Sequence, residues 1–283
     1  MVKLDKRRKY YLILDCETAT LPYAANYSES GKKKIAIAKP LIYDIGWTVI
    51  DRRGKIYRKE NFLISEIFSV PEIFNTAYYA EKRPVYLEKL ENGEITLTDW
   101  RTATKILERD LLEASAVGAY NSMFDFKKAI PFTELYIDML YSKDYYSWLD
   151  RQEKICNNIV NGVLHQSDKI FESEIFRFRK NEYPLFDVWG LACRNLLNND
   201  DFRSFCIENN FFTASKKYFS TTAENAFRFC FKNTDFIESH TALNDAEIES
   251  KLFSLIVKKN LSNFEIGIIY FPFREVGKVE NFI

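Results

Sequence analysis

"KYYLILDCE", Lys9–Glu17, runs through aromatic and aliphatic residues into two acids. A short unbroken apolar run of this kind predicts a buried strand. It ends on Asp15 and Glu17, and residues two apart on a strand share a face, so both carboxylates can converge on one point. Convergent carboxylates are costly unless a cation neutralises them. Hard oxygen ligands suit Mg²⁺ or Mn²⁺. The bland alternative is a strand emerging into solvent with two surface acids at its tip.

Working outward, "YDIGWTVID" (Tyr43–Asp51) predicts a second strand, and Gly54 supplies a turn into a third, "KIYRKENFLI" (Lys55–Ile64). So short a turn makes the two antiparallel neighbours. From Pro71 to Leu112 the spacing is helical, with Thr98 a candidate N-cap for "TDWRTATKILERDLLEA". "SAVGAY" (Ser115–Tyr120) then predicts a strand parallel to the first. It runs into "NSMFDFKKAI", where Ser122 and Asp125 have capping-box spacing.

"PLFDVWGLACRNLL" (Pro184–Leu197) reads as a strand handing over to a helix, with Asp187 as a structural N-cap. "TTAENAFRFCFKN" reads as a helix capped at Thr221 or Thr222. The last long helix is "ALNDAEIESKLFSLIVKKN", whose apolar stripe includes Ala242, Ala246, Leu252 and Ile256. The order predicts an α/β fold: a mixed five-stranded sheet flanked by helices. A single domain over residues 1–283 is expected, with a polar, aromatic, helix-prone insertion at about 140–183 and a C-terminal extension at 261–283.

Composition narrows the class. Hydrophobic residues make up 47% of the 283, and 24 Phe with 17 Tyr supply a sizeable core. The 40 basic and 40 acidic residues cancel. That argues against a protein coating long duplexes by bulk charge, while permitting a local groove. The five cysteines are scattered, without a Cys-x-x-Cys pair, so zinc and a disulfide framework are not expected. Free thiols and no membrane-length apolar run suggest a cytoplasmic location, in a bacterium or, for a phage protein, its host.

Three more residues carry chemistry. Asp125 sits one helical turn beyond the fourth strand, where an acid also complements a helix N-terminus. Asp245 opens the last long helix, and His240, one of only two histidines, precedes it on the approach loop. Each alone has an ordinary explanation as a capping or surface residue. Together, four carboxylates could hold two metals about 3.5–4 Å apart, clamping the attacking and leaving oxygens of a phosphodiester. A histidine of ordinary pKa about 6.5 is the natural base for the water.

These residues resemble the DEDDh (DnaQ-like, proofreading-type) 3′–5′ exonucleases of the RNase H-like superfamily. "LDCETAT" looks like the first motif, "AYNSMFDFKKA" the second and "SHTALNDA" the third, His-x4-Asp. The resemblance implies metal ligands at Asp15, Glu17, Asp125 and Asp245 for two Mg²⁺ or Mn²⁺ ions, with His240 as general base. It further implies Thr18 beside the terminal nucleotide, Asn121 near a phosphate and Phe124 against a base or sugar. The expected activity is release of nucleoside 5′-monophosphates from nucleic-acid 3′ ends, DNA before RNA and single-stranded before duplex, with a replication or repair partner and no membrane. Ala19-Thr20, Tyr120 and Thr241 depart from the family pattern, which leaves the preferred nucleic acid open. The alternatives are an RNA-directed or structure-specific nuclease, or a catalytically silent nucleic-acid-binding module.

Basic runs at "KRRK" (Lys6–Lys9), "GKKK" (Gly31–Lys34), "FRFRK" (Phe176–Lys180) and Lys216-Lys217 read mostly as solvated surface, with the "FRFRK" aromatics available to stack on single-stranded bases. His165 reads as surface. His240, being on a loop, is expected to swing towards its water.

Overall fold

The computed structural model describes residues 4–5, 7–20, 40–141, 171–172, 174–259 and 267–282. Strands β1 (Tyr10–Thr20), β2 (Pro40–Asp51), β3 (Ile56–Ile64), β4 (Thr96–Thr98), β5 (Ala116–Ala119), β7 (Glu174–Phe178) and β8 (Asn181–Asp187) form one sheet, while β6 (Phe171–Glu172) and β9 (Ile268–Ile269) pair separately. The sheet order is β4-β3-β2-β1-β5-β8-β7. Within the inner five, β3-β2-β1-β5-β8, only β2 runs against its neighbours. This is the mixed order and direction that the RNase H-like resemblance implies.

Strand periodicity explains how β1 feeds two cores. Tyr10, Leu12, Leu14 and Cys16 pack into a cluster with Trp47, Trp100 and Leu107. Tyr11 and Ile13 face the opposite cluster, with Phe186, Leu252 and Phe253. Asp15 and Glu17 continue this second row, so their carboxylates emerge on the face covered by helix α7 (Ala242–Lys259). Among the described residues, the other α-helices of five residues or more are α1 (Arg83–Glu91), α2 (Trp100–Leu111), α3 (Ile130–Leu140), α4 (Val188–Ala192), α5 (Asp200–Glu208) and α6 (Ala223–Phe231).

The structure differs from the sequence reading in particular places. The sheet has seven strands rather than five, because β4 and β7 extend its edges. Within the expected helix-prone insertion, Glu174–Phe178 forms an antiparallel hairpin with β8. The reason is a period of two: Phe176 and Phe178 are buried while Arg177 and Arg179 carry the charge outward. Those phenylalanines are therefore core residues with no face for a base. Residues 142–170, including His165, and the "GKKK" run lie outside the described residues.

Helix α2 is capped by Asp99, whose side chain accepts from Thr102 N–H at 2.9 Å, while Thr98 belongs to β4. Thr222 caps α6, and Asp187 caps α4 as expected.

Candidate active site

Three chain segments meet at the end of β1. On β1 itself the antiparallel register slips immediately after Glu17: Glu17 pairs with Asp44, Thr18 with Ile42, and Tyr43 is skipped. A bulge at this point re-aims the strand just past the two carboxylates.

The second segment is α7 with its approach loop. Gly46 on β2 lets the helix start against the sheet, because a Cβ there would lie 2.2 Å from the backbone nitrogen of Leu243. Asp44, fully buried, then accepts from Ala242 N–H at 2.9 Å, from the Tyr86 hydroxyl at 3.0 Å and from Asn61 at 2.7 Å. A strand side chain thus satisfies a free amide at the helix N-terminus. This docking fixes Asp245, in the first turn, opposite β1. Glu17, His240 and Asp245 each offer a ligand atom within 4.8 Å of the others.

The third segment is the turn after β5. Asp187 accepts from Ser122 N–H at 3.1 Å and from Gly190 N–H at 2.9 Å, tying two strand ends together. Ser122 Oγ donates to Phe186 O at 2.6 Å and accepts from Ala119 N–H at 2.9 Å. Ser122 is therefore a strand-to-strand clamp and not half of a capping box. The clamp delivers Asp125, almost wholly buried, into a single π-helical turn, Asp125–Ala129. Such turns insert an extra residue and commonly mark functional positions.

The three segments enclose a cleft of about 680 Å³. Asp15, Glu17, Asp125, His240 and Asp245 all line it, as do Asn121 and Phe124. Thr18 is half-buried and is not among the lining residues. Two further acids line it that the sequence reading passed over, Glu238 and Glu249. Glu249 is buried, with its Oε2 accepting Tyr120 N–H at 3.1 Å. The signal was available: Glu249 is one turn after Asp245 and three residues before Leu252, so it belongs to the buried stripe and not with half-buried Glu247.

Electrostatics set the character of the cleft. Burial, then neighbouring carboxylates, push Asp15 up to about 8, Glu17 to about 9 and Asp245 to about 10. Asp125 and Glu249 are raised for the same reasons. Among the described residues, no lysine or arginine lines the cleft. Such a donor set, all hard oxygen with an imidazole beside it, fits divalent cations of the Mg²⁺ or Mn²⁺ type.

His240 has φ 48°, a left-handed backbone unusual for a non-glycine residue. Its ring stacks on Tyr79 at 4.3 Å between centroids and 13° between planes. Lys82 lies over the other ring of this pair, 4.4 Å from the Tyr79 centroid, and donates to Ser239 O at 2.7 Å. The ring of the histidine expected to swing therefore rests against Tyr79 in this structure. Burial, then Lys82, lower its pKa. Glu238 Oε2 stands 3.9 Å from His240 Nδ1.

No protein-family profile matches the chain, and no curated protein matches its sequence. Several solved structures are similar to it over most of its length, at TM-scores below 0.5. The Mg²⁺- and Mn²⁺-bound form of S. pombe Pop2p gives a TM-score of 0.44 at 12% identity, over 90% of this chain and 85% of that one. Cell-death related nuclease 4 (CRN-4) gives 0.39 at 10% identity, over 89% and 65%. A 3′-exonuclease described for 3′-end recognition of a histone mRNA stem-loop gives 0.36 at 9%, over 93% and 85%.

Proposed function

We propose that this protein is a metal-dependent 3′–5′ exonuclease acting on single-stranded nucleic-acid ends. The observation that carries the reading is the convergence of Asp15, Glu17, Asp125, Asp245 and His240, from three distant segments, into one cleft. Buried carboxylates that repel one another cost stability, and a silent binding module would gain nothing from them. Asp15, Glu17, Asp125 and Asp245 would hold two Mg²⁺ or Mn²⁺ ions, Asp15 and Glu17 from the sheet and Asp245 from the helix. When bound, these ions supply electrostatic stabilisation of the charge that develops on the phosphate during hydrolysis.

The remaining steps belong to the chain. His240, kept neutral by burial, accepts the proton of the attacking water. The Tyr79 stack fixes the plane of its ring, and Glu238 beside Nδ1 stabilises the imidazolium that forms. Asn121 and Phe124 at the cleft wall orient the terminal nucleotide. The products are a nucleoside 5′-monophosphate and a strand one nucleotide shorter.

The test is digestion of 3′- and 5′-labelled DNA and RNA oligonucleotides with Mg²⁺ or Mn²⁺, with Asp15→Ala as control. Stepwise 3′ shortening that leaves circular single strands intact is expected. Cutting of the circles would replace the reading with an endonuclease. Equal activity of Asp15→Ala would remove the metal site.

A further inference from the structure

The cleft has a second half, chemically unlike the first. Trp189, Phe212 and Phe273 line it together with Thr213, Thr221 and Thr222. None of these belongs to the three acidic motifs. Tyr120 and Trp189 are near-parallel, with centroids 6.3 Å apart and planes at 20°. Trp189 and Phe273 continue the series at 6.1 Å and 29°.

The rings are fixed before any ligand arrives. Trp189 Nε1 donates to Thr221 Oγ1 at 2.8 Å, and its backbone N–H donates to Tyr120 O at 3.1 Å. Tyr120 donates its hydroxyl to Thr221 O at 2.7 Å. Tyr218 supports Phe273 edge-on, at 4.9 Å. Yet Trp189, Phe212 and Phe273 remain only half-buried, leaving ring surface towards the cleft. The series starts at the acids, because the Tyr120 amide is the group held by Glu249.

We infer that Trp189 and Phe273 form a stacking platform for the unpaired bases next to the scissile phosphate. This rests on the exonuclease reading and names its substrate class. Flat aromatic faces accept any base, since every base has a π-face. A paired end keeps its bases stacked on each other, so it must open before it can use the platform. Among the described residues no lysine or arginine lines the cleft, so there stacking and the cations carry the affinity. Binding should then be less sensitive to salt than in a groove that neutralises many phosphates.

Two measurements test this. In the first, kcat and KM are determined with Mg²⁺ for wild type, Trp189→Ala, Trp189→Phe and Phe273→Ala. The substrates are a single-stranded oligonucleotide and the same strand with its last two nucleotides made abasic. Trp189→Ala is expected to raise KM about tenfold on the normal strand, the scale of losing one base stack. It should add little further loss on the abasic strand, where wild type is already impaired. Trp189→Phe, which keeps a ring, should recover most of the KM. Equal KM for wild type on both strands overturns the platform, and that arm needs no mutant to fold.

The second measurement is tryptophan fluorescence of metal-free wild type titrated with the two strands. Quenching by the normal strand alone, lost in Trp189→Phe, is expected. Quenching here together with no hydrolysis in the Mg²⁺ assay would sink the catalytic reading and leave the platform standing. No difference in quenching between the strands would sink the platform and leave catalysis standing.

Discussion

Two groups of buried carboxylates in this molecule solve the same problem in opposite ways. Asp110, on α2, is fully buried, yet Arg58 lies 2.5 Å from its Oδ1 and Arg109 brackets both oxygens at 2.9 Å. Trp47 Nε1 adds a hydrogen bond at 3.0 Å. Asp125, Asp245 and Glu249 are buried and Asp15 and Glu17 half-buried, yet these five face mainly one another. A buried charge needs a counter-charge. At Asp110 the chain supplies it; in the cleft it is left to come from outside.

The largest effects should separate the two groups by sign. Asp15→Asn should cut exonuclease activity by about 10³-fold or more, the scale of losing a principal electrostatic contribution. The same change should raise the melting temperature of the metal-free protein, by removing a mutually repelled acid. Asp110→Asn should do the reverse. It should lower stability in denaturant unfolding, because Arg58 and Arg109 lose the carboxylate they share and keep only Glu113 and Glu60. Loss of stability in metal-free Asp15→Asn would break the comparison. Next in size is His240→Ala, expected to lose about 10²–10⁴-fold in kcat with metal binding by calorimetry largely retained.

The pH dependence follows from the same contrast. In an unfolded chain these carboxyls ionise near pH 4, whereas the folded, metal-free cleft raises Asp15 to about 8, Glu17 to about 9 and Asp245 to about 10. The folded state therefore holds extra protons. Its stability is fullest below about pH 4 and declines as pH rises through 8–10. Thermal melts of the metal-free protein between pH 5 and pH 9 should show falling melting temperature. Added Mg²⁺ should recover more at pH 9 than at pH 5. A metal-free melting temperature that rises over this interval would contradict a cation-free acid cluster.

The cleft's acids were legible to different degrees because they depend on different ranges of interaction. Asp15 and Glu17 follow from a strand's two-residue period, and their side of the sheet follows from Tyr11 and Ile13. Asp245 and His240 are marked by their five-residue step at a helix start. Asp125 needs the β5 turn, whose clamp through Ser122 and Asp187 joins segments 65 residues apart. No local pattern encodes that pairing. Glu249 was hidden by its charge, which made a core-facing position look solvated. Phe176 and Phe178 were hidden the same way by Arg177 and Arg179, so an edge strand resembled a basic patch. Tyr79 carried no local signal: its role appears only when α7 docks on Gly46 and brings His240 over its ring.

Tyr79 gives the smallest expected effect and the sharpest reading of how the histidine is held. Its ring lies parallel to His240, while Lys82 sits against the same tyrosine and raises the cost of a second positive charge. A stacked ring restricts the imidazole to one plane. Tyr79→Phe keeps that surface and should change kcat by less than about threefold. Tyr79→Leu removes it, and kcat should fall by about tenfold, the scale of an aromatic pair together with a loosened base. Both variants should keep the metal affinity of wild type, because neither touches a carboxylate. In Tyr79→Leu the acid limb of the kcat–pH profile should also move, since the imidazole is no longer sheltered by the ring and burial is what lowers its pKa. Greater exposure raises that pKa, so the limb should shift to higher pH. An unchanged limb with lower kcat would leave Tyr79 a packing residue and assign the lowered histidine pKa to Lys82 and to burial by other groups.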